Sequence, residues 1–312
     1  MKSFNAGTND DGVRLNRFCE KVCPNIPKSL LHKSFRNKRI KVNGKKQDAD
    51  YRIKQGDLLE LYINDEFFEN YKKDQFETVD FAKLNILYED KNIIIIFKPA
   101  GILCHSDNKQ QSNIVDMVKS YLAEKGEFSC DKENTFTPSL CNRIDQGTDG
   151  IVVAAKNYKA LAEMNRLITQ DMIVKQYLCI VQHPIESGEY KAFLSRDLME
   201  KKVTVTAHQT LTSKEIITDF NVVSQKGAYY LVECTLITGR THQIRAHLAF
   251  LGCPILGDRK YGKPTASLDS QLLSGYKIKF KTISQGSILE YLSGKEFQCQ
   301  DCNTLKYFSQ LQ

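Results

Sequence analysis

Three polar segments lie next to apolar runs in this sequence, and their residue types could support acid–base or nucleophilic chemistry. The first, residues 142–150, contains Asp145 and leads into an apolar run. A carboxylate in such a loop can act as a nucleophile or as a base. The second segment, residues 175–179, carries Tyr177, and the third, residues 236–258, contains arginine and histidine side chains. A strand or helix end would present all three segments from a rigid scaffold.

Each of these residues also has an ordinary structural explanation. Asp145 precedes a glycine-rich stretch and could close a turn, whereas Tyr177 could belong to the core. Arg240 and Arg245 could pair with acidic side chains on a helix surface. Strand alternation places Tyr177 on the same face as Cys179, so its hydroxyl could equally project into a site. Residue type alone leaves these alternatives open.

The elements that position these segments are mostly strands that end in polar loops. Runs rich in β-forming residues predict strands at residues 86–89, 93–97, 151–155, 176–181, 203–207 and 229–237. Two helices are predicted between them, at residues 157–172 and at residues 241–251. We therefore predict an α+β fold with a mixed, mostly antiparallel central sheet and flanking helices.

Composition and pattern divide the chain into three stretches. Residues 1–64 are predicted to form a small α/β domain, in which two short helices precede a few strands and a hairpin turn lies at Asn43-Gly44. Residues 65–83 are acidic and aromatic without periodicity, which indicates a linker. Residues 84–312 are predicted to form the larger domain, which contains the three polar segments.

The small domain carries nearly all of the net charge. Residues 1–65 hold 14 Lys or Arg against 8 Asp or Glu, which is +6 of the total of +7. Eight basic residues and no acidic residue lie between positions 28 and 46. Such a stretch can gather several phosphates if its charges share one face, and a merely solvated basic face is the alternative.

The composition describes a globular chain of 312 residues, with 41% hydrophobic and 26% charged residues, which excludes fibrous and low-complexity proteins. No apolar run approaches the length of a membrane span, and the N-terminus lacks the apolar core of a signal peptide. We therefore expect a cytoplasmic protein whose ten cysteines stay reduced.

Motifs for metals and nucleotide cofactors are missing from the sequence. No phosphate loop or dinucleotide fingerprint occurs. The pair Cys299 and Cys302 has no second pair or nearby histidine, and His242 and His247 would lie on different sides of a helix. We therefore expect neither a metal nor a cofactor.

In their order along the chain, these segments resemble the RluA-type pseudouridine synthases, which isomerise uridine in ribosomal and some transfer RNAs. The resemblance covers about residues 84–280. It rests on these blocks: Glu89-Asp90, residues 98–101, residues 143–150, residues 175–177, residues 238–245, Gly257-Asp258 and Tyr261-Gly262. Residues 14–57 are similar to the small RNA-binding domain first known from ribosomal protein S-four. Three positions depart from the family pattern, at Phe97, Asn142 and Asp149.

The resemblance implies a role for each matching residue. Asp145 would be the essential carboxylate, Arg245 its charged partner, and Tyr177 a residue near the target base and a candidate for the later proton abstraction. The implied substrate-binding residues are Arg143, Thr148, Arg240, His242 and Gln243. The implied RNA-binding residues of the small domain are Arg14, Lys28, Lys33, Arg36, Lys38, Arg39 and Lys41. An additional carboxylate at Asp149 would raise the pKa of Asp145 if the two faced each other.

The implied activity is a cofactor-free, aspartate-dependent isomerisation of a flipped-out uridine, because the reaction changes neither redox state nor composition. We expect RNA as the partner, large-subunit ribosomal RNA ahead of transfer RNA, with no membrane and a monomeric protein. One alternative is a non-catalytic RNA-binding or ribosome-assembly protein that retains the fold. Another is a nucleoside hydrolase with a carboxylate nucleophile, which would leave the basic domain unexplained.

Overall fold

Two β-sheets organise the chain, and the smaller one has its own apolar core. The structure is a computed structural model, and it describes residues 1–69, 71, 78–106, 112–197 and 202–311. The predicted linker at residues 65–83 therefore lies partly outside the described residues.

The N-terminal sheet is antiparallel, with the strand order β1-β4-β2-β3. Its elements are β1 (Lys2–Asn5), α1 (Leu15–Val22), α2 (Lys28–Arg36), β2 (Ile40–Val42), β3 (Lys45–Lys46) and β4 (Leu58–Leu61). Asn43 and Gly44 adopt positive φ angles of 52° and 73° in the turn between β2 and β3, as the Asn-Gly hairpin signal predicts. The prediction that helices come first was wrong, because β1 precedes them. That strand has only four residues and no buried one, so no alternation revealed it.

The start of the predicted linker packs with the N-terminal sheet. Asp65–Phe68 forms a short 3-10 helix, and Phe68 is buried against Phe4, with 6.3 Å between the ring centroids. The apolar residue therefore extends the small core beyond residue 64. The domain division at residues 64 and 84 stays a prediction.

Polar contacts join the N-terminal stretch to the rest of the chain. The buried carboxylate of Asp10 accepts hydrogen bonds from Asn134 at 2.8 Å and from Thr135 at 2.9 Å. Asn9 accepts a hydrogen bond from the backbone N–H of Tyr158 at 3.0 Å. These contacts tie residues 8–10 to the larger domain, so the two sheets are connected by more than the chain itself.

The larger sheet contains eleven strands within the described residues, and its main order is β11-β10-β12-β13-β9-β14-β8-β6-β5, with β7 paired to β8 and β15 to β14. The strands are β5 (Asn85–Glu89), β6 (Ile93–Lys98), β7 (Ser139–Leu140), β8 (Asp149–Ala155), β9 (Ile173–Val181), β10 (Gly188–Asp197), β11 (Lys202–Thr206), β12 (Lys214–Lys226), β13 (Tyr229–Leu236), β14 (Leu273–Phe280) and β15 (Glu296–Gln298). The pair β8–β14 is parallel, and the other pairs in the described sheet are antiparallel. The predicted mixed α+β fold is confirmed.

Four helices cover the two faces of this sheet: α3 (Ile114–Glu124), α4 (Tyr158–Thr169), α5 (Gln243–Phe250) and α6 (Asn303–Gln310). Alternate residues of β6 pack against different helices, Ile93 and Ile95 with α4, and Ile94 and Ile96 with α3. Strand β9 divides in the same way between α5 and α6. The continuous apolar runs of these strands follow from burial on both faces.

The predicted strands and the two predicted helices are present within a few residues of their expected ends. Five strands of the larger sheet and two helices were missed: β7, β10, β12, β14, β15, α3 and α6. The missed strands β10 and β12 are half exposed, so lysine, glutamate and serine interrupt their apolar pattern. Helix α3 begins at an Asn cap, where Asn113 accepts from the N–H of Asp116, but β-branched residues weaken its helical signal.

The parallel pair β8–β14 requires two facing glycines. A Cβ on Gly150 would lie 2.5 Å from the backbone N and O atoms of Gly275, and Gly150 has a φ of 145°. A Cβ on Gly275 would lie 3.1 Å from the Tyr177 ring. The glycines thus let β8 and β14 meet closely while leaving room for the Tyr177 ring on β9.

Candidate active site

A cavity of about 710 Å³ lies between the loop before β8, strand β9 and the start of α5. Each of the three polar segments singled out in the sequence contributes to its wall. Its lining includes Cys104, His105, Arg143, Asp145, Thr148, Lys175, Tyr177, Arg240, His242, Gln243 and Arg245. The fold therefore gathers all eight of the predicted catalytic and substrate-binding side chains around one space.

Asp145 and Arg245 form an ion pair in this cavity. Nη1 of Arg245 donates a hydrogen bond of 2.7 Å to Oδ2 of Asp145. Nε and Nη2 of the same guanidinium donate to the two oxygens of Asp258, at 2.7 and 2.9 Å. The Asp145 side chain keeps 25% of its surface exposed, whereas Asp258 is fully buried. Asp145 is thus the carboxylate that faces the cavity, and Asp258 holds the arginine from behind.

Burial and ion pairing shift the pKa values of Arg245 and Asp258 in opposite directions. Burial favours the neutral form of Arg245, but the hydrogen bonds and charges of Asp258 and Asp145 outweigh it and raise its pKa. Burial would raise the pKa of Asp258, yet Arg245 and the backbone N–H groups of Lys260 and Tyr261 lower it. The arginine and its inner carboxylate are therefore both charged, at the cost of removing both from water.

Tyr177 lies on the floor of the cavity, with 8% of its surface exposed. It packs in one cluster with Cys179 and Val181, so strand alternation predicted its face correctly. Burial and then the charge of Asp145 raise the pKa of Tyr177 well above its ordinary value. The phenol is therefore neutral over the physiological pH range.

His242 stands beside Asp145 at the start of α5. Its Nδ1 lies 2.8 Å from the Tyr261 hydroxyl, and its Nε2 lies 3.8 Å from Oδ2 of Asp145. Burial lowers the pKa of His242, the charge of Asp145 raises it, and Arg245 and Lys260 lower it further. The imidazole is thus mostly neutral at neutral pH. The backbone of His242 has a φ of 53°, which is the left-handed conformation.

Thr148 and Gln243 have their polar atoms bound within the protein. Thr148 accepts a hydrogen bond from Gln271 at 3.0 Å, and its N–H closes a turn onto the carbonyl of Asp145. The amide of Gln243 accepts from Thr238 and the N–H of Arg240, and donates to two groups on β12. Both residues shape the cavity by holding its loops, and their predicted contact with substrate stays a prediction.

Arg143 and Arg240 have exposed side chains at the rim of the cavity. Arg143 precedes Asp145 by two residues, and Arg240 lies in the loop before α5. Both side chains are cationic and accessible to solvent, and their predicted contact with substrate stays a prediction.

Lys98 anchors the loop that carries Asp145. Its fully buried ammonium donates to the carbonyls of Pro99, Ile102 and Gln146, at 2.9, 2.8 and 3.1 Å. Burial lowers the pKa of Lys98 to about 8, while three carbonyl acceptors favour its charged form at neutral pH. Lys98 therefore fastens residue 146, next to the catalytic candidate, to the loop after β6.

Asp149 serves a different part of the structure. Its carboxylate accepts hydrogen bonds from Ser274 Oγ at 2.6 Å and from the N–H of Asn303 at 2.8 Å. Burial raises the pKa of Asp149 despite these bonds. This departure from the family pattern therefore links β8 to β14 and to the start of α6.

The predicted RNA-binding side chains of the small domain are exposed, except Lys41, which is half-buried with its ammonium 5.0 Å from the Tyr62 ring centroid. Arg14 lies 3.7 Å from Asp50. Within the described residues, no ion pair joins Lys28, Lys33, Arg36, Lys38, Arg39 or Lys41 to an acidic side chain. Apart from that of Lys41, their charges are therefore open to solvent.

Three residues that hold the site together were not among the predicted site residues: Asp258, Lys98 and Tyr261. Asp258 and Lys98 lie in the blocks Gly257-Asp258 and residues 98–101, so the sequence marked their positions but not their contacts. Tyr261 lies in the block Tyr261-Gly262, and its hydroxyl contacts His242 and the N–H of Val203. Only the fold shows that these residues converge on Asp145 and its partners.

Two absences hold for the described residues. No group of three or more His, Cys, Asp or Glu side chains there could hold a metal ion. No helix among them combines the length and the apolar character required to cross a bilayer.

The fold and the site together define a class of enzyme. Its members have a mixed sheet and a cavity beside the middle strands that holds an aspartate–arginine pair. The RNA pseudouridylate synthase family matches residues 92–250, just over half of the chain. The chain belongs to this family and is an RNA pseudouridine synthase.

Two relatives agree with this assignment, and a solved structure agrees with the fold. An uncharacterized RNA pseudouridine synthase of Mycoplasma capricolum is 32% identical over 301 residues, which covers 95% of this chain and 96% of the relative. A protein of Rickettsia felis named ribosomal large subunit pseudouridine synthase C is 30% identical, with 92% of each chain covered. The structure of human RNA pseudouridylate synthase domain containing 4 has a TM-score of 0.56 and 23% identity, covers 72% of this chain and 90% of its own, and supports the fold. The family match and the names of the relatives do not favour the alternative of a non-catalytic RNA-binding or ribosome-assembly protein.

Proposed function

We propose that this protein isomerises a specific uridine of large-subunit ribosomal RNA to pseudouridine, with Asp145 as the essential carboxylate. The contact that carries the proposal is the 2.7 Å hydrogen bond from Arg245 to Asp145 inside the cavity. Its relatives in Rickettsia are named ribosomal large subunit pseudouridine synthase C, which supports ribosomal RNA ahead of transfer RNA as the substrate.

The reaction needs an ionised carboxylate and an enclosed space. The N1–C1′ bond of uridine breaks, the uracil turns, and a C5–C1′ bond forms; N1 gains a proton and C5 loses one, so no cofactor is consumed. Asp145 can attack the sugar, attack the base or assist elimination, because each step uses the same cavity-facing carboxylate. Arg245 orients that carboxylate by a charge-assisted hydrogen bond. The cavity walls hold the detached uracil and keep water from the intermediate.

The target uridine must leave its stack to reach Asp145, at a cost of a few kcal/mol. Arg143, exposed at the rim, is suited to occupy or organise the space that the base leaves. Tyr177 presents a buried ring next to Asp145, and the ring is suited to stack on the uracil. Proton abstraction from C5 by Tyr177 would require the phenol to lose its own proton, which burial and Asp145 both oppose.

The basic small domain acts as an RNA anchor in this proposal. Its exposed lysines and arginines gather phosphates and raise the local concentration of RNA near the catalytic cavity. The polar contacts of Asp10 with Asn134 and Thr135 hold it against the larger domain. The N-terminal stretch thereby works like the small RNA-binding domain that its sequence resembles.

The activity and its substrate can be tested together by mapping pseudouridines in total RNA. Cells with the gene, without it, and with a wild-type or an Asp145→Asn copy restored are compared by carbodiimide-based sequencing. We expect one discrete site in large-subunit ribosomal RNA to disappear without the gene and to return only with the wild-type copy. A gene-dependent pseudouridine in transfer RNA would contradict ribosomal RNA as the substrate. If neither RNA contained a gene-dependent pseudouridine, the proposed function would be contradicted.

A further inference from the structure

A second cleft, of about 1010 Å³, adjoins the catalytic cavity. Gln146 and Arg245 line both spaces, so the two are continuous at the residue that follows Asp145. Gln146 is exposed and bonds to the carbonyl of Gly101 at 3.0 Å. A strand that delivers its uridine to Asp145 can therefore continue past Gln146 into this cleft.

The cleft is strongly basic. Besides Arg245, which two carboxylates already neutralise, its lining includes Lys202, Arg259, Lys260 and Lys306, and one acidic residue, Asp269. Lys306 lies 3.0 Å from Asp301, whose side chain is 83% exposed. A surface pair of this kind is weak and exchanges readily with a phosphate.

The positive charges of this cleft are close enough to repel one another. Burial and the charges of Arg245 and Lys202 lower the pKa of Lys260, and the charges of Asp145 and Asp258 partly compensate. Like charges held together in this way favour the binding of an anion, which lowers their mutual repulsion.

The C-terminal helix α6 forms one wall of the cleft through Lys306, Tyr307 and Gln310. This wall is anchored, since Ser274 Oγ lies 2.7 Å from Thr304 Oγ1 and Cys302 and Phe308 are buried in the core. Tyr307 adds an aromatic ring beside a cation, the combination on which single-stranded nucleic acids stack. Helix α6 lies outside the residues that match the family.

We infer that this basic cleft binds the phosphodiester backbone of the RNA strand that flanks the target uridine, with α6 as one of its walls. The inference rests on the proposed function for the identity of the substrate, and it extends the RNA contact surface beyond the catalytic cavity. The cleft is larger than the catalytic cavity, which suits several nucleotides of a strand.

The test removes three exposed cations together, as Lys202→Ala, Arg259→Ala and Lys306→Ala. The control removes three exposed lysines that lie outside both spaces, as Lys91→Ala, Lys279→Ala and Lys281→Ala. The probe is an unmodified transcript of large-subunit ribosomal RNA. Its binding is measured over a salt series, and turnover is followed in single-turnover experiments by the release of tritium from C5 of uridine.

The cleft variant should reduce the slope of log K against log salt by about 2, since each lost contact with a single-stranded phosphate contributes about 0.7. Its Kd at low salt should rise about tenfold or more, with the single-turnover rate at saturating protein unchanged. The control should match the wild type in all three measurements. Tyr307→Leu should weaken binding without changing the slope, because stacking involves no counterion.

An unchanged slope and Kd in the cleft variant would overturn the inference. A lower rate at saturation with unchanged affinity would also overturn it, because the cations would then act on catalysis. If the wild type released no tritium, the proposed function would fail, whereas the binding measurements would still decide the role of the cleft. Circular dichroism of each variant verifies that it is folded.

Discussion

Nη1 of Arg245 lies 2.7 Å from Oδ2 of Asp145, a residue one hundred positions earlier in the sequence. The guanidinium is not free to turn toward or away from this carboxylate, because its Nε and Nη2 atoms are bound to Asp258. The arginine therefore presents its Nη1 atom to the cavity in a fixed position. A carboxylate aligned in this way is prepared for reaction before the substrate arrives.

Removing the inner carboxylate should damage both stability and turnover. In Asp258→Ala, a buried guanidinium loses two hydrogen bonds and a charge partner, which should lower the free energy of unfolding by about 3–5 kcal/mol. Urea unfolding measures this loss, and single-turnover tritium release measures the effect on catalysis. Asp80→Ala, at an exposed position, is the control. Unfolding of Asp258→Ala at the wild-type urea concentration would show that Asp258 does not hold Arg245.

Lys98→Met tests the anchor of the Asp145 loop. The variant keeps most of the side-chain volume but removes three hydrogen bonds to backbone carbonyls, of which, within the described residues, only that of Gln146 has a second donor, the N–H of Gly101. We therefore expect a loss of about 1–3 kcal/mol in the free energy of unfolding. We also expect slower turnover, since the loop after Asp145 keeps its hydrogen bonds to Gly101 but loses the link through Lys98 to residues 99 and 102. Lys91→Met, at an exposed lysine, should leave both quantities unchanged. Equal stability of the Lys98→Met variant and the wild type would contradict the proposed anchor.

His247 should make the protein sensitive to acid. It is fully buried, its Nδ1 lies 3.2 Å from the Thr218 hydroxyl, and burial lowers its pKa to about 4. The unfolded chain, with a histidine pKa near 6.5, binds more protons between pH 4 and 6.5, so stability falls as the pH drops through this window.

For this one histidine, the loss between pH 7 and pH 5 should be about 2 kcal/mol. Urea unfolding at the two pH values should show that His247→Gln loses less stability than the wild type by about this amount. The other histidines are common to both proteins and cancel in the comparison. The same pH dependence in both proteins would rule out a neutral, buried His247.

The small domain should contribute to RNA affinity and leave the chemical step unchanged. Replacing Lys33, Arg36 and Lys38 by alanine should weaken binding of the ribosomal transcript and reduce the salt slope by about 2. The single-turnover rate at saturating protein should stay at the wild-type value. The three control lysines of the cleft experiment serve here as well. An unchanged salt slope would mean that this basic face is only solvated.

The sequence was sufficient to predict the elements with the strongest periodicity. Strands β6, β8 and β9 each contain a continuous apolar run, and α4 has an Asn cap and a regular apolar stripe, so local signals and tertiary burial agree. Strands β10 and β12 were missed because one face of each meets water. Their pairing partners, and not their own residues, make them strands.

In the candidate site, too, the sequence predicted some residues, whereas the roles of others depend on tertiary contacts. The residue types and blocks were sufficient to single out Asp145, Tyr177 and Arg245, and the fold brings all three to one cavity. The role of Asp258 could not be derived, because its contact with Arg245 depends on how the chain returns to α5 after residue 250. The three carbonyls that bind Lys98 come from two loops, and no local pattern encodes such a contact.

Single-turnover kinetics of Asp145→Asn on the unmodified ribosomal transcript measure whether Asp145 carries the reaction. We expect tritium release to fall by roughly a thousandfold or more, since the essential group is removed, while the Kd for RNA stays within about threefold. Asp80→Asn should behave as the wild type. Release of tritium by Asp145→Asn at the wild-type rate, with equal RNA affinity, would show that Asp145 does not carry the reaction.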